Sequence, residues 1–313
     1  MTMVKRTFLL CLFICSVFCS IAQKNSAAYP KNKKRLWITA GANAAFWTGS
    51  YIALNKVWYS EYPRSRFHFF NDNDEWNQMD KAGHAWTGYT LSLLSAKMWK
   101  WTGLNDKASA LLGGATGFMY QGIIEMQDAY SAEWGFSWSD IGANALGSGL
   151  FVSQQLLWQE QRIQLKLGYI PYRYPDQNRS LLDRRNNLFG HSFAERILKD
   201  YNSQTYWASV RVAAFFPDSG IPEWLNVAVG YGSDGLYGAR NNKWIDKNGN
   251  SSDFTSIERV KRFYLSPDID LTKIPTGSKL LRSVFQVLNI LKIPAPALEL
   301  NSRGKLQGHA IRF

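Results

Sequence analysis

Cysteine is nearly missing from this chain. There are three, Cys11, Cys15 and Cys19, and all fall within the first 19 residues. Beyond them no thiol remains, which excludes a disulfide framework, a thiolate nucleophile and a cysteine-based metal site. Histidine is almost as scarce: His68, His84, His191 and His309 stand far apart, too few and too dispersed for a His-rich zinc site. Acid is short relative to base, with 24 Asp and Glu against 36 Lys and Arg. The GxSxG, HExxH, P-loop and Rossmann fingerprints are absent, as is any nucleic-acid-binding motif. A mean hydropathy of -0.27 is low for a multispan membrane protein.

What is present begins with MTMVKRTFLLCLFICSVFCSIAQKN. Lys5 and Arg6 lead an apolar run at 7–19, and Ser20-Ile21-Ala22 precedes Gln23 as a small-x-small cleavage site. Residues 1–22 therefore read as a secretory signal peptide, too short in its apolar core for a membrane span. Ile14 and Phe18 precede the nearest cysteines where a lipoprotein signal needs a small residue, so no lipid anchor is expected. Removing Lys5 and Arg6 lowers the formal charge from +12 to +10. An exported basic protein meets anionic lipid head groups or glycans rather than nucleic acid. The 13 Trp and 15 Tyr suit a protein at a membrane interface, where such rings settle. Membrane lipid is the expected partner, with other envelope proteins as further candidates.

The pattern then divides near residue 160. Residues 36–55, 75–100, 108–124 and 141–158 are four apolar segments of helical character, studded with Gly113, Gly114, Gly117, Gly142, Gly147 and Gly149. Small residues of this kind let helices approach closely. Lengths of roughly 15–20 residues are marginal for a bilayer, leaving membrane helices and a protein-buried bundle both open. After residue 160 the period becomes two. Stretches 162–170, 205–216, 224–232 and 262–271 alternate apolar with polar or small residues, and shorter strands are expected near 296–301 and 305–313. The long loop near 232–254 is polar, and 280–293 has one apolar helical face with Lys279, Arg282 and Lys292 around it. The expected fold is α+β: a signal at 1–22, a bundle of about four apolar helices over 23–160, and an antiparallel, barrel-like β region of six or more strands over 161–313. A soluble sheet packed on helices gives the same alternation.

Three helices carry polar pairs at helical spacing: Asp80 with His84, Glu125 with Asp128, and Asp140 with Asn144. Asp140 follows Ser137 as Ser-x-x-Asp, so it also suits a helix start. Glu125 and Asp128 close their helix, the end where the macrodipole disfavours negative charge. They need a cation, and the candidates are Lys81, His84 or a metal. The readings are a structural charge network, a binding or catalytic site with His84 as general base or nucleophile and Lys81 steadying an anion, or a metal site. No cofactor is implied, although Asp80, His84, Glu125 and Asp128 would suit a divalent cation such as Mg, Mn or Zn.

"MDKAGHAWTGYTLS" followed by "GIIEMQDAYSAEWGFSWSDIGANALG" resembles the YfiM-like envelope proteins and, more distantly, the VanZ-like membrane family. The matching positions are Asp80, Lys81, His84, Glu125, Asp128, Ser137, Asp140, Asn144 and Gly147. A fuller resemblance, through "HFFNDNDEWNQMDKAGH", "ILKDYNSQTYWASV" and "PEWLNVAVGYGSDGLYG", is to an uncharacterised family of predicted periplasmic or outer-envelope proteins from Bacteroidota, domain of unknown function 2279, over about 30–313. These resemblances imply an envelope location and no established activity. The expectation is an envelope protein of unassigned activity with that polar centre. The alternatives are a hydrolase of a phosphate or other ester of an envelope lipid or glycan, or a scaffold subunit of an outer-membrane assembly.

Overall fold

The computed structural model describes residues 30–59, 62–175, 178–246 and 249–313, without the side chains of 57 and 58. The leader expected at 1–22 lies outside them. Two compact units emerge, and neither is one continuous stretch. The helical unit takes the described residues to Asn73, with Gly83–Arg162 and Thr276–Val287, while the strand unit takes Asp74–Ala82, Ile163–Pro275 and Leu288–Phe313.

In the helical unit lie α1 (Lys33–Leu54), most of α2 (Met79–Trp101), α3 (Asp106–Asp128) and α4 (Trp138–Leu157). Their starts are set by short polar side chains. Asn32 Oδ1 caps α1 through the Arg35 amide, Asn105 Oδ1 caps α3 through Ala108, and Ser137 Oγ caps α4 through Asp140. Small residues decide how tightly α2, α3 and α4 pack. A Cβ at Gly147 would collide with the Ala85 carbonyl, and one at Gly113 would lie 2.6 Å from the Ser92 carbonyl oxygen. Helix α1 joins by the stacking of Phe46 on Tyr120 (5.4 Å) and by Thr39 Oγ1 donating to the Met98 carbonyl.

The expected apolar bundle is corrected here. The buried positions of α3 and α4 include Ser109, Gln121, Glu125, Asp140, Asn144, Ser148 and Gln154. Leu146 and Leu157 are exposed instead. Glycine lets backbones touch, and polar side chains share the seam with a smaller apolar set, Tyr89 edge-on to Phe151 with Ala96 and Ala110. No described helix is long and apolar enough to cross a membrane.

The strand unit is built on one antiparallel sheet in the order β1-β2-β3-β6-β7-β8: β1 Ile163–Tyr169, β2 Gln204–Arg211, β3 Leu225–Asp234, β6 Val260–Ile269, β7 Ala295–Asn301 and β8 Leu306–Arg312. The polar stretch at 232–254 holds a small hairpin, β4 (Lys243–Ile245) with β5 (Ser251–Asp253). Two helices that the period-two reading did not anticipate, α5 (Arg179–Phe189) and α6 (Phe193–Lys199), fill the β1–β2 connection. Asn178 caps α5, and Ser192 with Glu195 makes a capping box for α6. The amphipathic helix expected at 280–293 is α7 (Lys279–Leu288), and all of it but Leu288 belongs to the helical unit.

Register sorts the sheet into rows of one character. Leu165, Ala208, Val229, Leu265 and Leu298 stand side by side across five strands, as do Leu167, Tyr206, Tyr231, Phe263 and Leu300. The intervening rows carry Gln164 with Ser209, and Arg211 with Asn226 and Asp268. The burial is inverted relative to a soluble sheet. Val229, Leu265 and Leu298 are 55, 50 and 53% exposed, whereas Lys166 is 0%, Asp268 1% and Lys292 2%. The sheet encloses a polar interior. Lys166 Nζ pairs with Asp268 (2.8 Å) and donates to the Ile269 carbonyl and Asn289 Oδ1. Lys292 Nζ faces Asp268 from the other side (3.6 Å), donates to the carbonyls of Pro267 and Ile293, and lies over the Trp207 ring.

The sheet does not close by strand pairing, but it curls. The free edge of β1 is bonded by residues 290–292: the Leu167 amide donates to Ile290, and the Lys292 amide to Leu167. Gly168 is required at the inner wall, because a Cβ there would strike the Phe313 carbonyl. Within the same unit, Trp76, Asn77 and Gln78 are successive non-glycine residues with positive φ (49, 50 and 65°), which delays the helix expected from 75 until Met79. Such backbone costs on the order of 1–3 kcal/mol per residue. It is held by the Trp76 amide on the Ala239 carbonyl and by the Asn77 side chain on Ser233 Oγ.

Candidate functional site

One turn into the helical part of α2, His84 meets residues from α3 and α4. Its Nε2 lies 3.7 Å from Glu125 Oε1 and 3.8 Å from Asp140 Oδ1. On the other side of the ring, Nδ1 is 3.0 Å from Asn144 Oδ1. Gln121 Nε2 also donates to that oxygen, at 3.1 Å, and lies 3.2 Å from His84 Nδ1. With Asn144 Oδ1 as the acceptor, Nδ1 carries the proton, and the Nε2 lone pair turns toward the two carboxylates.

Each position has a local cause. Gln121 and Glu125 are i,i+4 on α3, and Asp140 and Asn144 are i,i+4 on α4, so each pair shares one face. Close packing of the glycine-bearing seam brings the faces together. Ser137 starts α4, and its Oγ donates to Asp72 Oδ1 (2.7 Å), as does Ser139 Oγ (2.8 Å). The Ser137 amide points at Glu125 Oε2 (3.4 Å). The strap that carries Asp72 runs alongside the α3–α4 turn, its His68 amide donating to Ala129 and its Phe70 amide to Phe136. Phe67, Phe69, Phe136 and Trp138 stack edge and face along that strap.

The electrostatics are severe for Glu125. It is fully buried, and burial, then the Asp140 and Asp128 charges, push its carboxyl up to about 9. Glu125 Oε1, Gln121 Oε1 and Asn144 Nδ2 have no hydrogen-bond partner among the described residues. The ligand atoms of His84, Glu125 and Asp140 all lie within 4.8 Å of one another.

The residues expected at the centre are distributed as follows. His84, Glu125, Asp140 and Asn144 come together. Asp128 instead accepts a hydrogen bond from Tyr59 Oη (2.7 Å), and burial and that carboxylate raise the phenol. Asp80 and Lys81 group with the strand unit and pair with each other at 2.9 Å. The imidazole beside Glu125 is that of His84, while Lys81 pairs with its chain neighbour Asp80. Gln121, Asp72, Ser139 and Tyr59 went unnoticed in the sequence. Gln121 had a readable signal, its i,i+4 spacing to Glu125; Asp72, Ser139 and Tyr59 had none.

A family model described as predicted periplasmic lipoprotein (DUF2279) matches residues 68–155, the stretch that supplies every member of this centre. The match is narrower than the 30–313 span of the resemblance. The family's description, an envelope one with no activity assigned, fits an exported protein. That description says lipoprotein, where no lipid anchor was expected from the leader; the leader lies outside the described residues. No match was found among curated proteins or among solved structures.

Proposed function

We propose that this is an envelope protein that seats its curled, barrel-like sheet in the outer membrane, apolar face to lipid, and carries the His84 centre in its helical unit. The observation that carries this reading is the inverted sheet. Charged and amide side chains occupy the enclosed face, while Val227, Val229, Leu265, Leu298, Leu300 and Ile311 stand 42–64% exposed on the other. In water such a face is a liability, since contiguous exposed apolar surface mediates association. In lipid it is what a spanning strand requires, apolar outward and polar inward. Strands of 7 to 10 residues fit as well, being close to the length a tilted transmembrane strand needs. Aromatic residues mark both ends of the outer face: Tyr231 and Phe263 at one, Phe215, Phe216 and Trp224 near the other. The basic excess adds attraction to anionic head groups.

Fractionation tests the reading. The protein should stay with outer membranes through a carbonate or high-salt wash, and Leu265→Arg should release it or cost about 2–4 kcal/mol, the charge penalty at a bilayer midplane. Recovery of the wild-type chain in the soluble periplasm sinks the proposal.

A further inference from the structure

The His84 cluster brings together the donor atoms of a metal site. Three side chains converge with their acceptor atoms turned inward, and the groups behind them are committed elsewhere. Asn144 Oδ1 takes the Nδ1 proton of His84 and a Gln121 amide proton. That leaves an imidazole lone pair facing two carboxylates at 3.7 and 3.8 Å. The spacing suits a metal. Two ligands each about 2.0–2.2 Å from a tetrahedral ion stand about 3.4 Å apart, so the two distances from His84 need only a few tenths of an ångström of closure. A second observation points the same way: Glu125 is 0% exposed, yet its Oε1, aimed at His84 Nε2, has no hydrogen-bond partner among the described residues. A buried acceptor left in that condition is costly, and bound ions are one cause of it.

We propose that His84 Nε2, Glu125 Oε1 and Asp140 Oδ1 are the protein ligands of a divalent metal ion, zinc or manganese by donor type. One imidazole with two carboxylates is a borderline-to-hard donor set, and no cysteine follows Cys19 to draw a softer ion. Asn144 and Gln121 are positioning residues, fixing the ring and its tautomer from behind. His84 keeps 18% of its side chain exposed, which gives the ion a route from solvent. Three protein ligands leave at least one coordination position for water, the arrangement of catalytic rather than closed structural sites.

The test uses the full-length chain, freed of metal by chelator and titrated separately with Zn2+ and with Mn2+ in a calorimeter. The expected result is about one equivalent of either ion bound, lost in the near-isosteric Glu125→Gln and in His84→Gln, and weakened about 10–100-fold by Asn144→Ala. His191→Ala, which alters an exposed histidine of the strand unit, should bind as the wild type does. Circular dichroism establishes that each variant is folded. Should a variant fail to fold, Co2+ bound to the wild-type chain decides. It should show a single paramagnetically shifted, exchangeable imidazole proton, the Nδ1–H held by Asn144. A folded wild-type chain that binds neither ion, binding that survives both Glu125→Gln and His84→Gln, or a Co2+ form without that signal overturns the proposal. A protonated His84 bridging the two acids is then the remaining explanation. This outcome is independent of whether the sheet sits in lipid.

Discussion

Asp268 in the strand unit and Glu125 in the helical unit are both fully enclosed carboxylates, and they are treated in opposite ways. Asp268 has every acceptor position engaged. Lys166 Nζ and Ser209 Oγ reach one oxygen, Lys292 Nζ and the Ile293 amide the other. Lys166 in turn has three acceptors for its three protons. Glu125 has one weak amide contact at 3.4 Å, an imidazole at 3.7 Å and an oxygen without a hydrogen bond. A saturated network is what architecture needs, because every unpaired buried charge costs stability. An unsaturated one leaves a buried acceptor to be compensated, which is what the metal proposed at His84 would do.

Breaking the saturated side should have the largest effect. Asp268→Ala leaves Lys166 and Lys292 buried without a counter-charge, and it should cost about 3–5 kcal/mol in chemical unfolding. A loss below about 1 kcal/mol would show that the interior is wet and the contrast false.

Next comes the seam that assembles the unsaturated side. Gly147→Val forces α4 away from the Ala85 carbonyl and should destabilise by about 1–3 kcal/mol, the usual cost of overpacking. Metal binding should fall with it, even though Gly147 touches no ligand. Unchanged thermal unfolding and unchanged binding would show that the helices can part without consequence.

Ser137→Ala is smaller, about 1 kcal/mol, since it removes the α4 cap together with a hydrogen bond to Asp72. Differential scanning calorimetry is sensitive enough to see it.

The pH dependence sharpens the comparison without deleting a side chain. Glu125 rises from 4.5 to about 9 on folding, so the metal-free folded protein holds a proton that the unfolded chain releases. Its contribution to stability is full below about 4.5 and is lost as pH rises toward about 9. Stability of the metal-free protein should decline across that window, and Glu125→Gln should flatten the decline. A wild-type profile as flat as that of Glu125→Gln would mean that Glu125 is ionised and already compensated.

Much of this molecule was legible in its sequence. Period-two alternation located the six strands of the main sheet, because a pleated strand with one enclosed face must alternate. The glycines of 113–117 and 147 announced close helix contact, and Ser137-x-x-Asp140 announced a helix start. The argument that an acid at a helix C-terminus needs a cation left Lys81, His84 and a metal as candidates. Pairing His84 with Glu125 and Asp140, while Asp128 turned to Tyr59 and Lys81 to Asp80, was not legible. Those choices depend on how three helices rotate about their axes when glycine lets them touch, and rotation leaves no mark on spacing. Which face of the sheet is enclosed was equally hidden. Alternation fixes that two faces differ, and only the curl of the sheet, with Phe313 folded over Gly168 and residues 290–292 bonded to β1, decided that the charged face went inside.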